Sequence, residues 1–85
     1  MEPKELEHRL QEALQLAEVH VKAEGTHYTV VAIGDAFEGL TKVKRQQAVY
    51  APLTDKITDG TLHALTIKAF TPAEWQREKI FNMPS

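Results

Sequence analysis

Eighty-five residues suffice for one domain with a modest core, and the charge is nearly balanced, ten Lys and Arg against twelve Asp and Glu, net −2. With 42% hydrophobic and 26% charged residues the chain has the composition of a folded domain and not of a disordered segment, and it carries no broad positive field for nucleic acid, so such a contact has to come from a local patch. It contains no cysteine, which excludes a disulfide, a thiolate zinc site and a thiol nucleophile.

A single domain over 1–85 is expected, with 81–85 as a frayed tail. The N-terminal MEPKELEHRL is charged and lacks the apolar run of a secretory leader, and no stretch approaches a membrane span. These features predict a soluble, cytoplasmic protein without a membrane partner.

From Pro3 to about Ala17 the spacing predicts an amphipathic helix, with Leu6, Leu10 and Leu14 four apart and Ala13 and Ala17 beside them. Pro3 suits the first turn, and Glu2, Glu5 and Glu7 suit the positive end of the helix dipole. AEVHVK then alternates, with Val19 and Val21 on one face and Glu18, His20 and Lys22 on the other. A break at Ala23-Glu24-Gly25-Thr26 leads into HYTVVAIG, and the two runs read as an antiparallel hairpin. In the second run Tyr28, Val30 and Ala32 share one parity and His27, Thr29, Val31 and Ile33 the other, and the pattern does not rank the two faces.

GDAFEGL is a turn-rich connection. Thr41 is positioned to cap a helix through KVKRQQAVY, with Val43, Gln47 or Ala48, and Tyr50 expected inward. Pro52 interrupts it, LTDKI starts a second short helix with Leu53 and Ile57 inward, and Asp59-Gly60 closes that unit. Leu65, Ile67 and Ala69 alternate with Ala64, Thr66 and Lys68 as a third strand. Thr71-Pro72-Ala73-Glu74 then starts a last helix, anchored by Trp75: Thr at the cap, Pro next and Glu three residues after the cap.

The order is α-β-β-α-α-β-α. A crossover of about two dozen residues is long enough to make the second and third strands parallel. The fold class is therefore α+β, a mixed three-stranded sheet with helices covering one face, in the type-II KH-like arrangement.

His27 opens the second strand and His63 the third, so parallel pairing starts both at the same end of the sheet, where neighbouring strands are about 4.8 Å apart and two imidazoles can reach one metal centre. Parity counts against the pair, because His63 is in phase with Leu65 and Ile67 whereas His27 is not. His20, on the neighbouring strand, is a second candidate partner, and His8 has no role. A histidine at a strand start also serves as a plain hydrogen-bonding residue. Two histidines do not complete a tetrahedral site, so an autonomous zinc or iron–sulfur centre is not expected, and a site shared with another protein's thiolates stays open.

Lys42, Lys44 and Arg45 form a basic cluster that raises a nucleic-acid reading against that of a solvated helix face. The G-x-x-G clamp of a KH domain is missing, since Gly25, Gly34, Gly39 and Gly60 never fall three apart. Neither a nucleophile elbow nor a phosphate loop is present, and an adaptor or regulator fits the residues better than an enzyme.

FEGLTKVKRQQAVY (37–50) and LHALTIKAFTPAEW (62–75), supported by VHVKAEGTHYTVVAIGDAF (19–37), resemble the BolA family, in particular a short bacterial branch of it. The resemblance covers almost the whole length and implies the same α-β-β-α-α-β-α fold. It also implies association with a monothiol glutaredoxin and a shared two-iron two-sulfur cluster, the glutaredoxin and its glutathione supplying thiolates. The family's C-terminal histidine ligand falls on His63. Its second ligand, from the loop joining the first two strands, falls on His27, with His20 as the alternative. The isolated chain is expected to hold no cluster and to be a monomer or weak homodimer. The family's second theme, transcriptional regulation through DNA, maps onto Lys42, Lys44 and Arg45, with Gln46 where many relatives carry histidine.

Overall fold

The structure, a computed structural model, describes residues 1–62 and 64–82, the last two by backbone alone. Helix α1 (Pro3–Leu14) buries Leu6 and Leu10 completely. It ends three residues before the expected Ala17, because Gln15 turns into the left-handed region (φ 52°) and its N–H donates to the Gln11 carbonyl at 2.8 Å. The Gln11 side-chain amide donates to the Leu16 carbonyl on the far side of the turn. This reversal drops Leu16 into the core and carries the chain into the sheet.

Strands β1 (Glu18–Glu24) and β2 (His27–Ile33) form the expected antiparallel hairpin, closer-turned than the sequence indicates: β1 runs through Glu24, and Gly25 turns with φ 60°. Strand β2 is central, and both its faces are covered, which is why alternation alone could not rank them. Tyr28, Val30 and Ala32 join the main core, whereas Val31 and Ile33 pack on the other face with Trp75.

After a short turn (Asp35–Phe37) that buries Phe37, α2 (Lys42–Tyr50) begins at Thr41, whose hydroxyl accepts the Lys44 N–H at 3.2 Å. The inward face of α2 is not the expected one. Val43 is 66% exposed, Gln47 is exposed and Tyr50 is 37% exposed, while Val49 is fully buried. Ala48, the alternative to Gln47, does pack against the core. The helix is rotated because Arg45 and Gln46 are drawn to the sheet edge by carbonyls that only polar side chains can satisfy. A tight turn (Ala51–Leu53) and α3 (Thr54–Thr58) follow as expected, with Leu53 buried and Ile57 packed against the core.

Strand β3 (Ala64–Phe70) pairs parallel with β2, giving the order β1-β2-β3 and the expected mixed sheet. Helix α4 (Pro72–Asn82) opens with the expected reciprocal cap: the Thr71 N–H donates to Glu74 Oε1 at 2.9 Å and the Glu74 N–H to Thr71 Oγ1 at 3.3 Å. The helix continues through residues 81 and 82, which the sequence assigned to the tail; residues 83–85 lie outside the described residues. Helices α1, α2 and α3 pack on one face of the sheet, and α4 adds a cover on the other, where Trp75 is 1% exposed.

Side chains from the helices answer both sheet edges. On β1 the Val21 N–H donates to Glu7 Oε2 at 3.2 Å. On β3 Gln46 Nε2 donates to the Ile67 carbonyl at 2.8 Å and Arg45 to the Ala69 carbonyl at 3.2 Å.

Candidate functional site

His27 opens β2, opposite Glu24 on one side and Ala64 on the other. Its ring is exposed, and Nε2 lies 2.9 Å from Thr66 Oγ1 on β3. His63, the residue before Ala64, lies outside the described residues.

His20 sits on the same sheet face, but in the row of Val31 and Lys68. Four pairing rows separate it from His27, roughly 13 Å along the strands at about 3.3 Å per residue. Its Nε2 is 3.1 Å from Glu18 Oε1, and its ring stacks on Trp75 with centroids 6.0 Å apart. The ring thus belongs to the packing of α4 on the sheet. His8 is on the exposed side of α1, 3.4 Å from Glu12 Oε1. Among the described residues no three His, Asp or Glu side chains converge on a metal position.

The basic cluster divides. Lys42 and Lys44 are exposed on the first turn of α2. Arg45 is drawn inward, its side chain 16% exposed. It donates to Glu74 Oε1 at 2.6 Å and Oε2 at 3.2 Å, to the Leu40 carbonyl at 3.1 Å and to the Ala69 carbonyl at 3.2 Å. The hydrogen bond from Arg45 holds the Glu74 carboxyl down at about 2, helped by the Thr71 N–H and opposed by burial. The same hydrogen bond raises Arg45 above its ordinary value. Arg45 therefore ties α2 to β3 and α4 instead of facing solvent with the two lysines. The capping motif at 71–74 placed a carboxylate at the start of α4, but its second partner lies 29 residues away in sequence and left no local signal.

No described helix is long and apolar enough to cross a membrane. Residues 4–74 match the model of the BolA-like protein family. The chain is 49% identical over 82 residues to the acid stress protein IbaG of Escherichia coli (strain K12), covering 96% of this chain and 98% of that protein. Among solved structures it is similar to BolA1 of Mus musculus, with a TM-score of 0.84 at 25% identity over 98% of this chain and 75% of that one. It is also similar to the BolA domain of SufE1 from Arabidopsis thaliana, with a TM-score of 0.75 at 33% identity over 85% of this chain and 93% of that one. The sheet order, the cap at Thr71 and the match over residues 4–74 agree, and the chain belongs to the BolA-like protein family.

Proposed function

We propose that this protein is a non-enzymatic cytoplasmic adaptor that binds a monothiol glutaredoxin and shares a two-iron two-sulfur cluster with it, for iron–sulfur trafficking or sensing. The observation that carries the reading is the parallel register of β2 and β3, in which His27 stands opposite Ala64, the chain neighbour of His63. His27 is exposed at the end of the sheet, where a partner has access, while His20 is four rows away and stacked on Trp75. His63 and His27 are accordingly the proposed ligands, and His20 is assigned to packing.

The donor chemistry supports a cluster held jointly. Imidazole is a neutral ligand, and two of them without a single cysteine leave the remaining positions to the partner's thiolates. Replacing thiolate by imidazole at one iron raises the cluster potential, and a protonated imidazole cannot ligate, so acid favours release. The similarity to a protein named for acid stress agrees with such a response.

Anaerobic co-purification with a monothiol glutaredoxin, followed by visible absorption and circular dichroism, tests the proposal. His63→Ala and His27→Ala are expected to alter the shared-cluster spectrum, and His20→Ala to leave it unchanged. An unaltered spectrum in both of the first two variants would sink the ligand assignment. DNA binding through the basic helix is the lesser reading, since Arg45 is committed to Glu74 and only Lys42 and Lys44 of the three face solvent.

A further inference from the structure

Beside the outer edge of β3, whose carbonyls are in part met by α2, runs a groove of about 730 Å³, walled by the start of α2 and the first turns of α4. The charged residues lining it are Lys42, Arg45, Lys68 and Arg77 against Glu74 and Glu78. In a chain of net charge −2 this is a local excess of positive charge.

The edge is also one-sided in its hydrogen bonding. An edge strand presents alternate residues outward, each with its N–H and its carbonyl. On β3 the outward residues include Ile67 and Ala69, since their carbonyls are the ones met by Gln46 and Arg45 from α2. Phe70 has the opposite parity and points its carbonyl inward to Gly34. The outward acceptors at 67 and 69 are thus already engaged by α2, while the N–H groups of the same two residues face the groove. Glu74 is neutralised by its bidentate contact with Arg45. A groove that offers donors and a net positive charge, with the Ile67 and Ala69 carbonyls and the Glu74 carboxylate taken, favours a ligand rich in acceptors and negative charge.

We propose that this groove binds an extended, carboxylate-rich peptide segment of a partner protein, laid along β3 with its carbonyls toward the Ile67 and Ala69 N–H groups and its carboxylates toward Lys42 and Arg77. The seven residues of β3 match about seven or eight residues of an extended peptide. The geometry favours a peptide over a nucleic-acid strand, because the donors are spaced as a strand edge and no aromatic residue other than Phe70 lines the groove for base stacking. This reading is independent of cluster binding and concerns the chain without its cargo.

The test uses the isolated full-length protein, labelled with ¹⁵N, and three fluorescent probes: an alternating Glu-Val peptide, an alternating Lys-Val peptide and a single-stranded oligonucleotide, each about eight units long. The Glu-Val peptide is expected to bind with an affinity that falls with salt and to shift the amide resonances of Ile67 and Ala69. The double variant Lys42→Glu, Arg77→Glu, in which both changed side chains are exposed, is expected to bind it about tenfold more weakly with an unchanged melting temperature. Equal binding of the Lys-Val peptide, binding of the oligonucleotide alone, shifts confined to other elements, or no binding by any probe each overturns the proposal.

Discussion

Arg45 of α2 grips the Glu74 carboxylate of α4 through two guanidinium nitrogens, at 2.6 and 3.2 Å, across the C-terminal half of β3. The same guanidinium reaches the Ala69 carbonyl, and the same carboxylate accepts the Thr71 N–H, so one pair joins two helices and the strand between them. Such contacts are charge-assisted and partly shielded from water, which makes them stronger than a surface ion pair. Replacing Arg45 by Ala leaves the Leu40 and Ala69 carbonyls and Glu74 without this donor, and is expected to cost about 2 kcal/mol. Urea denaturation measures it; a loss below about 0.5 kcal/mol would mean that the pair is no stronger than an exposed one.

The acid limb of stability depends on the same carboxyl. Glu74 is held at about 2 in the fold against an ordinary 4.5, chiefly by the Arg45 hydrogen bond. A depressed folded value contributes stability that is fully present above pH 4.5 and is lost as pH falls from there toward 2. Melting temperature followed over that interval is expected to fall more steeply for the wild type than for Glu74→Gln, the two curves converging as pH drops. Parallel curves would contradict this.

Gly34 is extended (φ −174°), so any residue can adopt its backbone. What it lacks is room: an added Cβ would sit 2.9 Å from Leu16 Cδ2 and 3.4 Å from Leu16 Cα. Gly34→Ala is expected to destabilise by about 1–2 kcal/mol through overpacking. Leu16→Val removes the closer atom, so the double variant should cost less than the sum of the two single changes. Strict additivity in a thermal-melt cycle would remove the steric explanation.

The rotation of α2 separates two valines of one short helix. Val49→Ala empties a fully buried position and is expected to cost about 2 kcal/mol, whereas Val43→Ser at a 66% exposed position should stay within about 0.5 kcal/mol. Chemical denaturation of both distinguishes this orientation from one with Val43 inward, for which the order of the costs reverses.

Local chemistry made most of the fold legible. Thr71 and Glu74 announce their helix because both halves of the cap lie within one turn, and Thr41 does so for the same reason. Asp59-Gly60 and Gly25 mark turns because glycine tolerates the left-handed backbone found at each. The face of α2 was not legible, since its orientation is set by two carbonyls of β3 lying more than twenty residues away. Nor was the end of α1, where a left-handed Gln15 stops a helix without the usual glycine. At the candidate site, the sequence brings the strand openings at His27 and His63 to one end of the sheet; the register pairs His27 with Ala64, and residue 63 lies outside the described residues. It could not separate His20 from His27, because that distinction depends on counting pairing rows in a hairpin whose turn was drawn too wide.

The parallel pairing of β2 with β3 also orders events in time. The hairpin of β1 and β2 closes through a two-residue turn and can form as soon as residue 33 is available, whereas β3 has to return across α2 and α3 before residue 64 meets residue 27. Closing so long a connection is slow compared with closing a hairpin. The His27 end of the sheet is therefore two-stranded until β3 returns, and a chain still emerging from synthesis presents it without its third strand. Whatever needs both strands there has to wait for β3.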